Sequence, residues 1–156
     1  MIDIIIPCYN SVEVIYDTLC SIMSQNYNDF KVYLISNGNN NYQALVNFFV
    51  NFFDIKLINV DDENSLGRLR NAGFKEGNSK YVMFLDCRSS FVNSTSLEKA
   101  INQIDDNCDY INCCYYTERE NELITDDNNT VNGKIFKREY LMLKLLLKDL
   151  LQVLWV

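Results

Sequence analysis

The chain has 156 residues, 48% of them hydrophobic and 22% charged, with a formal net charge of −7 and no histidine. That length suits one domain with a real core, and so acidic a surface, without a lysine or arginine cluster, excludes a nucleic-acid partner. The missing histidine removes the commonest general base, the commonest transition-metal ligand and every Ser–His or Cys–His nucleophile pair.

Ile2 to Pro7 is a continuous apolar run ending in the chain's one proline, and it predicts a central strand followed by a loop at Cys8-Tyr9-Asn10-Ser11. Ser11 is placed to cap the next helix, with Glu13 in its first turn, and Val12, Ile15, Leu19, Ile22 and Met23 follow at helical spacing. Phe30 to Ile35 reads as a second strand closed by Ser36-Asn37-Gly38-Asn39. Tyr42 to Phe53 reads as a helix with Leu45, Val46, Phe49 and Phe52 or Phe53 inward, and Ile55 to Val60 as a third strand. Ser65 to Gly77 reads as a helix, Lys80 to Leu85 as a fourth strand, and a helix capped by Ser94 or Thr95 runs to about Asp105. Asp109 to Tyr116 is a fifth strand and Glu118 to Asn132 a polar loop that has room for a short strand at Leu123-Ile124. Gly133 to Phe136 is a last strand and Lys137 to Val156 an apolar helix.

Strands alternate with helices four times, which predicts an α/β domain: a mainly parallel, Rossmann-like sheet flanked by helices, with no repeat or linker across 1–156. In such sheets ligands sit at the carboxyl ends of the strands. Those ends are Tyr9-Asn10, Ser36-Asn37, Asp61-Asp62 and Asp86-Cys87-Arg88. On the last helix Lys144, Lys148 and Gln152 recur every fourth residue beside Asp149, leaving an apolar surface wider than one sheet contact needs. The 140–156 segment is therefore either buried on two sides of its own domain or docked on a second copy or a partner protein. Six cysteines form no C-x-x-C pair, which argues against zinc, and Cys8, Cys113 and Cys114 lie in apolar runs suited to buried thiols. With no signal-like start and no membrane span, a cytoplasmic location is expected.

No P-loop and no G-x-G-x-x-G are present, which disfavours ordinary NTPases and NAD enzymes. Another pattern is present. Ile4-Ile5-Ile6-Pro7-Cys8-Tyr9-Asn10 opens the chain, and Thr18-Leu19-Cys20-Ser21-Ile22 is followed by Gln25. Asn64-Ser65-Leu66-Gly67 precedes Arg70-Asn71-Ala72-Gly73, then come Lys80-Tyr81-Val82-Met83-Phe84-Leu85-Asp86 and Asn132-Gly133-Lys134-Ile135-Phe136-Lys137-Arg138. In order and spacing these five pieces, covering roughly Ile2 to Tyr140, resemble the family 2 glycosyltransferases of the GT-A fold. The resemblance implies a single nucleotide-sugar-binding domain that transfers a sugar, with inversion, from a nucleotide-diphospho-sugar.

On that resemblance Pro7, Tyr9 and Asn10 match the wall of the nucleotide pocket, and Arg70 matches an arginine that supports it. Asn37 stands where the family carries an acidic pair with Ser36 beside it, and its amide still offers a donor and an acceptor to a uracil edge. Asp86 matches the first aspartate of the D-x-D motif. Arg88 stands where the second, metal-holding aspartate belongs, so the manganese or magnesium that the family uses is not expected, and the metal site reads as lost. Two roles compete for Arg88: binding the diphosphate in place of the metal, or pairing with Asp86 and closing the site, the second being preferred. No general base is assignable. After Arg138 there are only Glu139 and Asp149, the acceptor-binding part is lacking, and Glu118, Glu120, Glu122, Asp126 and Asp127 read as a solvated loop. The expectation is a weak, metal-independent or inactive transferase, set against a domain that has lost catalysis and serves as a structural or interaction module.

Overall fold

The computed structural model describes residues 1–9, 11–38, 42–61, 65–104, 109–112, 115–116, 123–124, 134–139 and 142. Its main sheet has six strands in the order β3-β2-β1-β4-β8-β5: β1 Ile2–Cys8, β2 Phe30–Ser36, β3 Asp54–Asn59, β4 Tyr81–Phe84, β5 Tyr110–Asn112 and β8 Lys134–Lys137. The first four run parallel, in registers such as Ile5↔Tyr33 and Ile5↔Phe84. β8 lies antiparallel between β4 and β5. β6 Tyr115–Tyr116 and β7 Leu123–Ile124 pair as a separate two-stranded ribbon. The expected mainly parallel sheet is thus present, with an antiparallel edge.

All seven residues of β1 are buried, because helices cover both faces of the sheet. Ile2, Ile4, Ile6 and Cys8 face one core, with Ile15, Leu19 and Ile22 of α1 (Ile15–Met23), Val46 and Phe49 of α2 (Gln43–Phe49), and Leu97 and Ala100 of α4 (Ser96–Asn102). Ile5 faces the other, with Tyr33, Ile35, Val82, Phe84 and Phe136 beneath Leu69 and Phe74 of α3 (Leu66–Glu76). The period of two along each strand thus feeds two cores, the reason the strands read as unbroken apolar runs. Helix α3 comes close to the sheet at Gly73, where a Cβ would stand 2.5 Å from Ile5 Cγ2 and 2.9 Å from Ile35 Cδ1.

Several local expectations give way. Ser11 does not cap α1 with its side chain. Its carbonyl takes the N–H groups of Val14 and Ile15, while its hydroxyl lies 3.2 Å from the buried Tyr42 hydroxyl. Met23 is exposed. Helix α2 stops at Phe49, so Phe52 turns outward and Phe53 packs against the core. The run from Asp109 to Tyr116 divides between two sheets as β5 and β6. Ser65 does cap α3, its hydroxyl accepting from the Arg68 N–H at 3.4 Å. The last helix of the sequence reading lies, apart from residues 137–139 and 142, outside the described residues.

At the amino end of the sheet a polar knot joins the parallel and antiparallel parts. Asp3 is fully buried and accepts from Arg138 Nη2 (2.5 Å), the Ser79 N–H (2.9 Å) and the Ser79 hydroxyl (2.6 Å). Arg138 also donates to the carbonyls of Ser79 (2.8 Å) and Phe74 (2.7 Å), with its guanidinium 4.5 Å from the Phe74 ring centroid.

Candidate functional site

Since β1 to β4 are parallel, their carboxyl ends share one edge of the sheet. The connections run outward from β1 to β2 and β3 on one side and to β4 on the other, so the strand order reverses between β1 and β4. Ligands of open α/β sheets bind at such a reversal. Pro7 is buried in β1 opposite Ile35 of β2, and Tyr9 projects beyond the strand, 45% exposed. Asn10, also expected here, lies outside the described residues.

Asn37 follows the last residue of β2 and is 1% exposed, yet neither its Oδ1 nor its Nδ2 has a hydrogen-bond partner among the described residues. The turn that places it is built by its neighbours: the Ser36 hydroxyl accepts the Gly38 N–H at 3.2 Å, and the Ser36 carbonyl accepts the Val60 N–H at 2.8 Å. Gly38 takes φ +84°, the left-handed region glycine adopts without strain. Buried polar groups are nearly always paired, which sets this amide apart from the other buried polar side chains of the strands.

Arg70 projects from α3 and donates from Nη2 to Asp86 Oδ1 at 2.8 Å. Arg70 Nε is buried without a partner. The ion pair that the sequence reading preferred for Arg88 is therefore made by Arg70. Adjacency in the chain suggested Arg88, but Asp86 and Ser89 close a turn (Ser89 N–H to Asp86 carbonyl, 2.9 Å) that leaves Arg88 exposed. Pro7, Asn37, Arg70, Asp86 and Arg88 all lie at this end of the sheet or, for Arg70, reach it from α3. A divalent cation needs several oxygens; here the Asp86 carboxylate faces a guanidinium, and among the described residues no three acidic or cysteine side chains converge.

A further set of residues, unassigned by the sequence reading, holds the segment after β4. Thr18 Oγ1 donates to the Cys87 carbonyl at 2.9 Å, and the Ser21 hydroxyl accepts the Phe91 N–H at 3.1 Å. Gln25 donates to the Asn93 carbonyl at 2.9 Å and accepts the Leu97 N–H at 3.0 Å. Thr18 and Ser21 lie three residues apart on α1, Gln25 follows just past its C-cap, and together they strap 87–97 to that helix. Their signal was present as polar residues breaking an apolar face. Under the strap, burial pushes the Cys8 thiol far above its ordinary range, and nearby Cys87 adds to the shift. Burial likewise raises the Tyr42 phenol, against the hydrogen bonds it makes with Ser11.

No general base can be assigned here either; of the acidic residues considered for that role, 118, 120, 122, 126, 127 and 149 lie outside the described residues, and Glu139 is exposed. Among the described residues no helix is long and apolar enough to cross a membrane.

Several known proteins are similar to this chain in sequence or in fold. Poly-beta-1,6-N-acetyl-D-glucosamine synthase of Staphylococcus epidermidis is 29% identical over 86 residues, covering 54% of this chain and 21% of the synthase. The crystal structure of S. aureus TarS 1–349 in complex with UDP-GlcNAc superposes with a TM-score of 0.79 at 19% identity, over 92% of this chain and 47% of that one. The mannosyltransferase PcManGT from Pyrobaculum calidifontis, in complex with GDP-Man and Mn2+, gives a TM-score of 0.75 at 17% identity, over 92% and 46%. The chain thus spans about a fifth of the curated relative and about half of the structural ones, and at these identities the structural likeness shows the GT-A fold. The pattern of the family described as Glycosyl transferase family 2 matches residues 3–155, and this chain belongs to that family.

Proposed function

We propose that the carboxyl end of β1, β2 and β4 binds a nucleotide-diphospho-sugar without a metal ion. The observation that carries this reading is the buried, unpaired amide of Asn37 at the strand end where the base would lie. Arg70 and Asp86 form the neighbouring wall, and the partly exposed Asp86 carboxylate would face a ribose hydroxyl. Arg88, with Asp86 held by Arg70, supplies the positive charge for the diphosphate; a guanidinium matches phosphate oxygens in charge and shape. TarS is a relative in fold solved with UDP-GlcNAc and with UDP, which supports a nucleotide sugar as ligand. Transfer to an acceptor further requires a base at the acceptor hydroxyl, and the described residues place none there.

Calorimetric titration with UDP, GDP and their sugars, with and without manganese, tests the reading. Binding in the micromolar range, unchanged by manganese and weakened about tenfold or more in Arg88→Ala, is expected. No binding at millimolar nucleotide would overturn it. One observation favours a second reading, a domain that has lost transfer and acts by docking: Tyr16, Phe48 and Phe52 are exposed, with Phe48 and Phe52 ring centroids 5.4 Å apart. The docking expected of residues 140–156 belongs to this reading. A dimer in light scattering, together with no nucleotide binding, would select it.

A further inference from the structure

We propose that Asn37 reads the base with an amide that the protein leaves free to turn over, so that the site accepts cytidine and uridine diphosphates alike. The inference rests on the nucleotide-sugar reading above and concerns which nucleotide enters.

An asparagine amide carries one acceptor and one donor group in a plane, and a half-turn about its last torsion exchanges them. Most buried amides cannot turn, because a neighbouring N–H holds the oxygen or a neighbouring carbonyl holds the nitrogen. Gln25 shows this within the same molecule: its nitrogen donates to the Asn93 carbonyl and its oxygen accepts from the Leu97 N–H, so one orientation is fixed. Asn37 is as buried as Gln25, 1% against 4% exposed, but among the described residues no hydrogen bond holds either of its atoms. Its backbone is fixed by the Ser36–Gly38 turn, so the position is set while the polarity is not.

Uracil and cytosine differ in just this polarity. Uracil presents an N–H at N3 beside the O4 acceptor; cytosine presents a lone pair at N3 beside the N4 amino group. A pinned amide would satisfy one base and set like groups against each other with the other. A carboxylate would accept from uracil N3–H and face the cytosine N3 lone pair. An amide that can turn meets both edges with a donor opposite an acceptor, and being neutral it adds no repulsion in either state.

The test is calorimetric titration of the whole chain with UDP and CDP. Dissociation constants within about threefold of each other are expected for the wild type. Asn37→Asp should keep UDP and weaken CDP at least about tenfold more, because its carboxylate has no donor for N3. Asn37→Ala should weaken both by the same factor, which keeps the test open if the buried aspartate impairs folding. A wild-type preference of more than about tenfold for either pyrimidine, or an unchanged ratio in a folded Asn37→Asp, overturns the inference. If GDP binds and neither pyrimidine does, the inference falls while the nucleotide-sugar reading stands. If no nucleotide binds, the reading beneath it falls as well.

Discussion

The two ends of the central sheet bury polar side chains to the same depth and treat them in opposite ways. At the amino end Asp3, Ser79 and Arg138 satisfy one another: the carboxylate accepts three hydrogen bonds, and the guanidinium donates to it and to two carbonyls. At the carboxyl end Asn37 has two idle atoms and Arg70 one. A buried polar group left without any partner costs about 1–3 kcal/mol. Polar burial at the first end therefore serves the fold. At the second the pairing among the described residues is incomplete, a contrast that the proposed binding site would account for.

The largest way to break that comparison is Arg138→Met. The change strands the Asp3 carboxylate, which has no exposure to water, and removes the tie between β8 and the turn before β4. Stranding one member of a buried ion pair costs about 3–5 kcal/mol. For a chain of this length that lowers the melting midpoint by about 6–20 °C, and urea unfolding should shift with it. Adding Asp3→Asn should restore part of the loss, since the remaining group is then neutral. Nucleotide affinity of the folded fraction should stay as it was. A loss below about 1 kcal/mol in the single variant would mean that the knot is worth no more than a surface pair, and the contrast between the ends would collapse.

Asn37→Leu sharpens the comparison from the other side. The two side chains share a branch at Cγ, leucine being the larger, and leucine has no polar atoms to leave unpaired. The ligand-free protein should gain about 1 kcal/mol in urea unfolding, and nucleotide binding should be lost. Stability gained with binding lost is the signature of a group retained for a ligand. A destabilised Asn37→Leu would show that the amide already contributes to the fold.

The same contrast explains what could be read from the sequence. β1, β4 and α3 were legible because local pattern and burial agree: Ile2 to Pro7 is apolar throughout, as both faces are covered, and Ser65 marks the start of α3. The split of residues 109–116 was not legible, since it depends on β8 returning from some twenty residues later to pair with β5. The Phe49–Phe53 run looks helical by hydrophobicity alone, yet the helix ends where the chain must turn into β3. At the site, residue types pointed to Asn37, Asp86 and Arg88, but the partner of Asp86 was set by how α3 crosses the sheet, sixteen residues away in sequence. Thr18, Ser21 and Gln25 stood in the sequence as part of a family-like piece, but only the packed loop shows what their polar groups hold.

The smallest effect concerns the apolar floor beneath the carboxyl end. Burial raises Cys8 above the ordinary thiol value of 9.0, and the Tyr42 phenol beside Ser11 is raised for the same reason. In the unfolded chain the thiol loses its proton around pH 9, whereas the folded protein keeps it. The unfolded state then binds fewer protons than the native one, so stability is complete below that pH and falls as pH rises beyond it. At pH 9 the Cys8 contribution is only about 0.4 kcal/mol, and it grows toward about 1.4 kcal/mol per pH unit above that. Urea unfolding at a series of pH values should show this alkaline slope, and Cys8→Ala should reduce it by about one proton while lowering stability uniformly at neutral pH. An unchanged slope in Cys8→Ala would place the alkaline sensitivity elsewhere and would mean that the floor under Asn37 opens to water before the protein unfolds.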